Sequence, residues 1–167
     1  MKTIKIILNA LLIIFVLIQF IPNPSKNNLS EVSITSIENT HPVPESVLNI
    51  LKTSCYDCHS NHTFYPWYAR IKPISWWLNN HINEGKEELN FSTFGSYSIS
   101  RQYHKLKEIK EQVEENEMPL KSYTLIHHNA VLEKEKKSIL ITWISQLQDS
   151  FQKNYPIDSL KRKKRIH

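Results

Sequence analysis

A chain of 167 residues has room for one compact domain plus appendages, and 40% hydrophobic residues, with four Trp, seven Tyr and six Phe, suffice for a modest core. The net charge of +5 is local, because Lys-Arg-Lys-Lys-Arg at 161–165 supplies five positive charges and residues 6–160 carry −2. This excludes a basic nucleic-acid-binding face on the globular part, and a total of two glycines argues against a turn-dense β architecture.

The chain opens Met1-Lys2-Thr3-Ile4-Lys5 and continues with an apolar run over 6–21, interrupted by Asn9 and Gln19. Lysines ahead of such a run keep the N-terminus cytoplasmic and send the rest of the chain across the membrane. The run is longer than many signal-peptide cores and shorter than the roughly 20 residues of a full span. Phe20-Ile21-Pro22-Asn23-Pro24 offers neither a small-residue cleavage site nor a lipoprotein cysteine. The expectation is an uncleaved anchor over 1–21, holding a domain on the periplasmic (outer) side of the cytoplasmic membrane.

Residues 22–43, rich in Pro, Asn, Ser and Thr, read as a polar tether. The domain is expected over 44–150. Val47, Leu48, Ile50 and Leu51 give a helical apolar face leading into Cys55. Pro66 and Pro73 bracket an aromatic segment, Tyr65-Pro66-Trp67-Tyr68. A helix from 74 to about 84 ends at Gly85, a residue that often terminates helices. Another runs from about 101 to 115, with Tyr103, Leu106, Ile109 and Val113 on one side. After a loop holding Met118-Pro119, a last helix over about 133–149 presents Ile139, Leu140, Trp143, Ile144 and Leu147. No repeat is visible, the fold class is all-α, and residues 151–167 form a basic C-terminal tail.

The two cysteines of the chain fall in Cys55-Tyr56-Asp57-Cys58-His59, the attachment signature of haem c. Two thiols three positions apart can each add to one vinyl group of a single porphyrin, and the next histidine then lies beneath the ring as an iron ligand. Attachment on the far side of the membrane agrees with the topology. Three other readings use the same residues. A zinc site would need two more ligands, but no second C-x-x-C and no H-x-x-x-H occurs. A thioredoxin-like pair belongs after a strand, whereas a helical pattern precedes Cys55. A structural disulfide leaves His59 unexplained.

Residues 55–68, Cys-Tyr-Asp-Cys-His-Ser-Asn-His-Thr-Phe-Tyr-Pro-Trp-Tyr, carry a wider pattern, with Ile74-Ser75-Trp76-Trp77 and Glu88-Leu89-Asn90-Phe91-Ser92 after them. Together they resemble the bacterial haem-binding domain family. Glu117-Met118-Pro119-Leu120, with Ser122-Tyr123 and His127, resembles its second block, so the likeness covers about 44–148. It implies haem binding and a small cytochrome c-like helical fold around one haem, often behind an N-terminal transmembrane helix. It implies no definite reaction.

Met118 is the sole methionine besides Met1, and it precedes Pro119 between two expected helices, as the ligand methionine does in class I cytochromes c. It is the expected sixth ligand, with a core filler as the plain alternative. His81 and His127 are the rival ligands, while His62 and His104 have no distinguishing context. Tyr65, Trp67, Tyr68, Trp76 and Trp77 suit a haem wall, and Arg70 and Lys72 are candidate propionate partners on charge alone. The basic tail suits anionic headgroups, an acidic redox partner or simple solvation. The expected activity is single-electron transfer to redox partner proteins in or at the membrane. The alternatives are a peroxidase-associated module and a haem-based redox or gas sensor. No catalytic residue beyond the haem ligands is evident, and no nucleic acid is expected as a partner.

Overall fold

The structure is a computed structural model that describes residues 2–22 and 33–162. The first element, α1 (Lys2–Gln19), has no buried residue and a mean hydropathy of 2.0. At 1.5 Å per residue it spans about 27 Å, close to the roughly 30 Å of a bilayer's hydrocarbon core. Its length and composition suffice to cross a membrane, and a secretory signal sequence meets the same test.

Beyond it come α2 (Ile37–Thr40), α3 (Glu45–Ser54) and α4 (Tyr56–His59), then a 3-10 turn (Trp67–Arg70) and α5 (Ile74–Glu88). A second 3-10 segment (Phe91–Ser96) leads to α6 (Ile99–Glu114) and α7 (Lys121–Thr124). A third (His128–Ala130) precedes α8 (Lys134–Asn154) and α9 (Ile157–Leu160). No strand occurs among the described residues, and the all-α class holds.

Local chemistry explains the long elements. α3 buries Val47, Ile50, Leu51 and Ser54 at helical spacing, with Glu45 in its first turn and Lys52 in its last, matching the helix dipole. Ser98 caps α6 by accepting from the Arg101 N–H at 3.3 Å. Asn116 at φ 60° turns the chain out of that helix, and Lys137 Nζ holds its side-chain oxygen at 3.0 Å. α8 packs against both α3 and α6, in a core that includes Phe91, Phe94, Leu106, Leu140 and Ile144, each at most 1% exposed. Each such side chain contributes about 2 kcal/mol by burial.

The packed domain is larger at both ends than 44–150. Part of the supposed tether is core: Ile37 is fully buried, Trp143 Nε1 donates to Pro42 O at 3.0 Å, and a Cβ on Gly95 would overlap Thr40. Phe151 and Leu160, placed in the tail, are 3% and 4% exposed. Polar spacing around a few apolar residues hid these contacts, because short elements leave no readable period. Lys161 pairs with Asp158 at 2.7 Å, and the rest of the basic run from 163 lies outside the described residues, as do 23–32 of the tether.

Gly85 does not end its helix. α5 runs on to Glu88, and a Cβ at Gly85 would stand 2.8 Å from Cys58 O. The glycine is there so that α5 can lie against the α4 turn.

Candidate functional site

Cys55 closes α3, with the Cys55 N–H donating to Leu51 O at 2.9 Å, and the chain re-enters helix at once as α4. This turn separates two unlike spaces. On one side lies a cavity of about 330 Å³ whose lining includes Cys55, His59 and Met118, with apolar walls from Leu89, Phe91, Ile109, Val113 and Leu132. That volume falls within the usual range for small-molecule sites. On the other side is a cleft of about 10 Å³ holding Cys58, Asp57, Tyr68, Tyr123 and His127.

His59 Nδ1–H donates to two carbonyls at the end of α5, Gly85 O at 2.8 Å and Leu89 O at 3.1 Å. Gly85 O also accepts the Leu89 N–H at 2.9 Å, so His59 uses its second lone pair, and the two carbonyls fix the tautomer with the lone pair on Nε2. Burial holds the His59 pKa below its ordinary value, although the two carbonyls work against this, so the ring is neutral. A neutral imidazole with its second nitrogen braced by a carbonyl is the form that binds a metal.

Both cysteines are free thiols. Burial pushes Cys55 up to about 12, helped by Cys58, and pushes Cys58 up to about 11, helped by Asp57. Both are therefore protonated, and unreactive as nucleophiles, in the folded chain. Among the described residues no group of three or more His, Cys, Asp or Glu side chains is placed to hold a metal ion, so neither thiol has the partners of a zinc site.

Met118 reaches the cavity from the loop after α6, where the N–H groups of Glu117 and Met118 both donate to Gln112 O, at 2.9 and 3.2 Å. Of its rivals, His81 is half-buried, lies tilted against Trp77 with ring centroids 4.3 Å apart and hydrogen-bonds within its own helix, to Trp77 O. His127 belongs to the opposite cleft, sharing a 2.7 Å hydrogen bond with the Tyr68 hydroxyl. Neither lines the cavity that holds His59.

The expected aromatic wall is elsewhere. Trp67 and Trp77 are 75% and 50% exposed, Tyr68 lies in the cleft, and Phe91 is the aromatic residue on the cavity. Arg70 is exposed and Lys72 is buried away from the cavity, whose cation is Lys105. Lys105 bridges Glu88 at 3.1 Å and Glu108 at 2.5 Å. Sequence reasoning missed Lys105, Gln112 and the carbonyls of Gly85 and Leu89. A lone Gly inside a helical pattern was a usable signal, whereas a backbone acceptor leaves none.

A family model described as haem-binding domain matches residues 13–146, most of the chain. The chain belongs to the haem-binding domain family. No curated protein and no solved structure matches it. Haem is the cofactor that membership brings, and this haem-binding domain has donors that suit it. Neutral His59, the Met118 thioether and the Cys55 thiol meet on one apolar cavity. Cys58, at the edge of the α4 turn, faces the cleft instead.

Proposed function

We propose that this haem-binding domain is a membrane-anchored c-type cytochrome that carries single electrons. Cys55 and Cys58 would hold one haem by thioether bonds, with His59 Nε2 and the Met118 thioether as donors to its iron. α1 remains attached and keeps the domain at the periplasmic face of the cytoplasmic membrane, beside its redox partner proteins. The single observation that carries the reading is the meeting of His59, tautomer fixed by Gly85 O and Leu89 O, with Met118 and Cys55 on one apolar cavity.

Bound there, an iron porphyrin supplies reversible one-electron chemistry, and a thioether opposite histidine favours the ferrous state. The protein's part is to line the site with apolar side chains, hold His59 neutral and offer the Met118 thioether as a second donor. Each cysteine thiol would add its S and H across one vinyl C=C bond of the porphyrin, giving a thioether with no leaving group.

The test is spectroscopic. The oxidised protein should show the weak red charge-transfer band of methionine-bound ferric haem. Met118→Ala should abolish that band, lower the potential and admit carbon monoxide more readily. Fast carbon monoxide binding by the unaltered protein would move the reading to a sensor or peroxidase-associated module. A spectrum changed only by His81→Ala or His127→Ala would make the ligand pair bis-histidine. Haem that extracts into acidified solvent from the denatured protein would remove the covalent attachment.

A further inference from the structure

Five large apolar side chains stand exposed within 14 residues of the domain: Phe64 at 71%, Trp67 at 75%, Ile74 at 42%, Trp76 at 37% and Trp77 at 50%. Three of the four tryptophans are among them, while Trp143 is in the core. None of the five lines the cavity, so the haem site does not explain them. Soluble surfaces rarely cluster such groups without a partner.

Their location relative to α1 identifies the partner. Gln19, the last residue of α1, grips the backbone of Lys72 from both sides. Its Nε2 donates to Lys72 O at 3.2 Å, and its Oε1 accepts from the Lys72 N–H at 3.0 Å. Lys72 sits between the Trp67–Arg70 turn and the start of α5 at Ile74, so the exposed aromatics flank the point where the anchor meets the domain. An apolar helix about 27 Å long that begins at one face of the hydrocarbon core ends near the other. Residues beside Gln19 are therefore held at headgroup depth, where the ring of Trp is favoured because one part is apolar and its N–H is wet. Exposed Arg70, in the same turn, suits anionic headgroups.

We infer that the surface formed by Phe64, Trp67, Ile74, Trp76 and Trp77 is a second membrane contact, a lipid-facing patch that lays the domain on the bilayer next to its anchor. This rests on α1 spanning the membrane. The patch limits tumbling about the α1 end, and so gives the cavity one orientation toward membrane-held partners.

The full chain, haem-loaded in phospholipid nanodiscs containing a lipid with a diazirine on its acyl chain near the headgroup, is irradiated and the adducts mapped by peptide mass spectrometry. Adducts are expected on α1 and on residues 64–77. Leu125 and Ile126, 75% and 58% exposed, serve as the control for exposure alone and should be labelled several-fold less. Trp67→Ser with Trp77→Ser should reduce adducts on Phe64 and Trp76 while leaving those on α1. Labelling of α1 without residues 64–77 overturns the patch and leaves the anchor standing. Equal labelling at 125–126 overturns the patch as well. An unlabelled α1 removes the anchor, and with it the basis of the inference.

Discussion

The two sides of the α4 turn are built on opposite plans. The cavity side is open and apolar, with Cys55 and His59 at its wall. The cleft side is closed by polar joints: Tyr123 OH donates to Asp57 Oδ2 at 2.7 Å, the Phe64 N–H donates to Asp57 Oδ1 at 3.0 Å, and Tyr123 stacks on His127 with centroids 4.3 Å apart. One five-residue motif thus serves as both chamber wall and structural joint. The joint ties the motif to α7, the element after the Met118 loop, so the apolar side keeps its shape because the polar side is locked.

The sharpest test of this division is the pair of cysteines. Cys55→Ala and Cys58→Ala should each leave a single-thioether haem, with a red-shifted pyridine haemochrome band. A Cys58→Ala spectrum identical to that of the unaltered protein would mean that Cys58 belongs to the cleft alone.

Gly85→Ala comes next. In an exposed helix the change would stabilise by about 1 kcal/mol, but here the new Cβ meets Cys58 O at 2.8 Å and Cys58 Cβ at 3.4 Å. We expect a net loss of about 2 kcal/mol from overpacking, read as a lower midpoint in urea. An unchanged midpoint would show that α4 is free to move off α5.

Tyr123→Phe removes a bond to a carboxylate, an effect of about 1.5 kcal/mol. Burial and the Asp57 carboxylate both push the Tyr123 pKa up, so the hydroxyl stays protonated as a donor well above neutral pH. A loss of stability without loss of haem would assign the cleft to structure and the cavity to chemistry.

The smallest effect lies far from both spaces. His41 packs between Phe94 and Phe151, and its Nε2–H donates to Gln102 Oε1 at 2.9 Å. Burial lowers its pKa from 6.5, partly offset by the Gln102 bond, so the unfolded chain binds this proton more readily than the folded one. Stability should therefore fall as pH drops below 6.5, by at most about 1.4 kcal/mol per unit until the folded pKa is reached. His41→Leu should flatten that part of the profile in urea midpoints taken from pH 7.5 to 5.5.

What the sequence determined alone is whatever a short local pattern carries. The helices of 10 residues or more were readable because each repeats apolar residues at helical spacing, as in α6 and α8. The motif at 55–59 stands out in the sequence because its residues are neighbours in the chain, and Met118 because it is the sole internal methionine; the structure sets Cys55, His59 and Met118 on one cavity. The tertiary structure decided everything that depends on residues distant in sequence. It drew Ser36 and Ile37 into the core, set Gly85 against Cys58 and gave His59 its two carbonyls. It also turned Trp67, Trp76 and Trp77 outward, near the end of α1. A backbone carbonyl has no side-chain identity, and an aromatic residue reads the same whether it faces a core, a cofactor or a lipid. Only the packing of α1, α4 and α5 tells these apart.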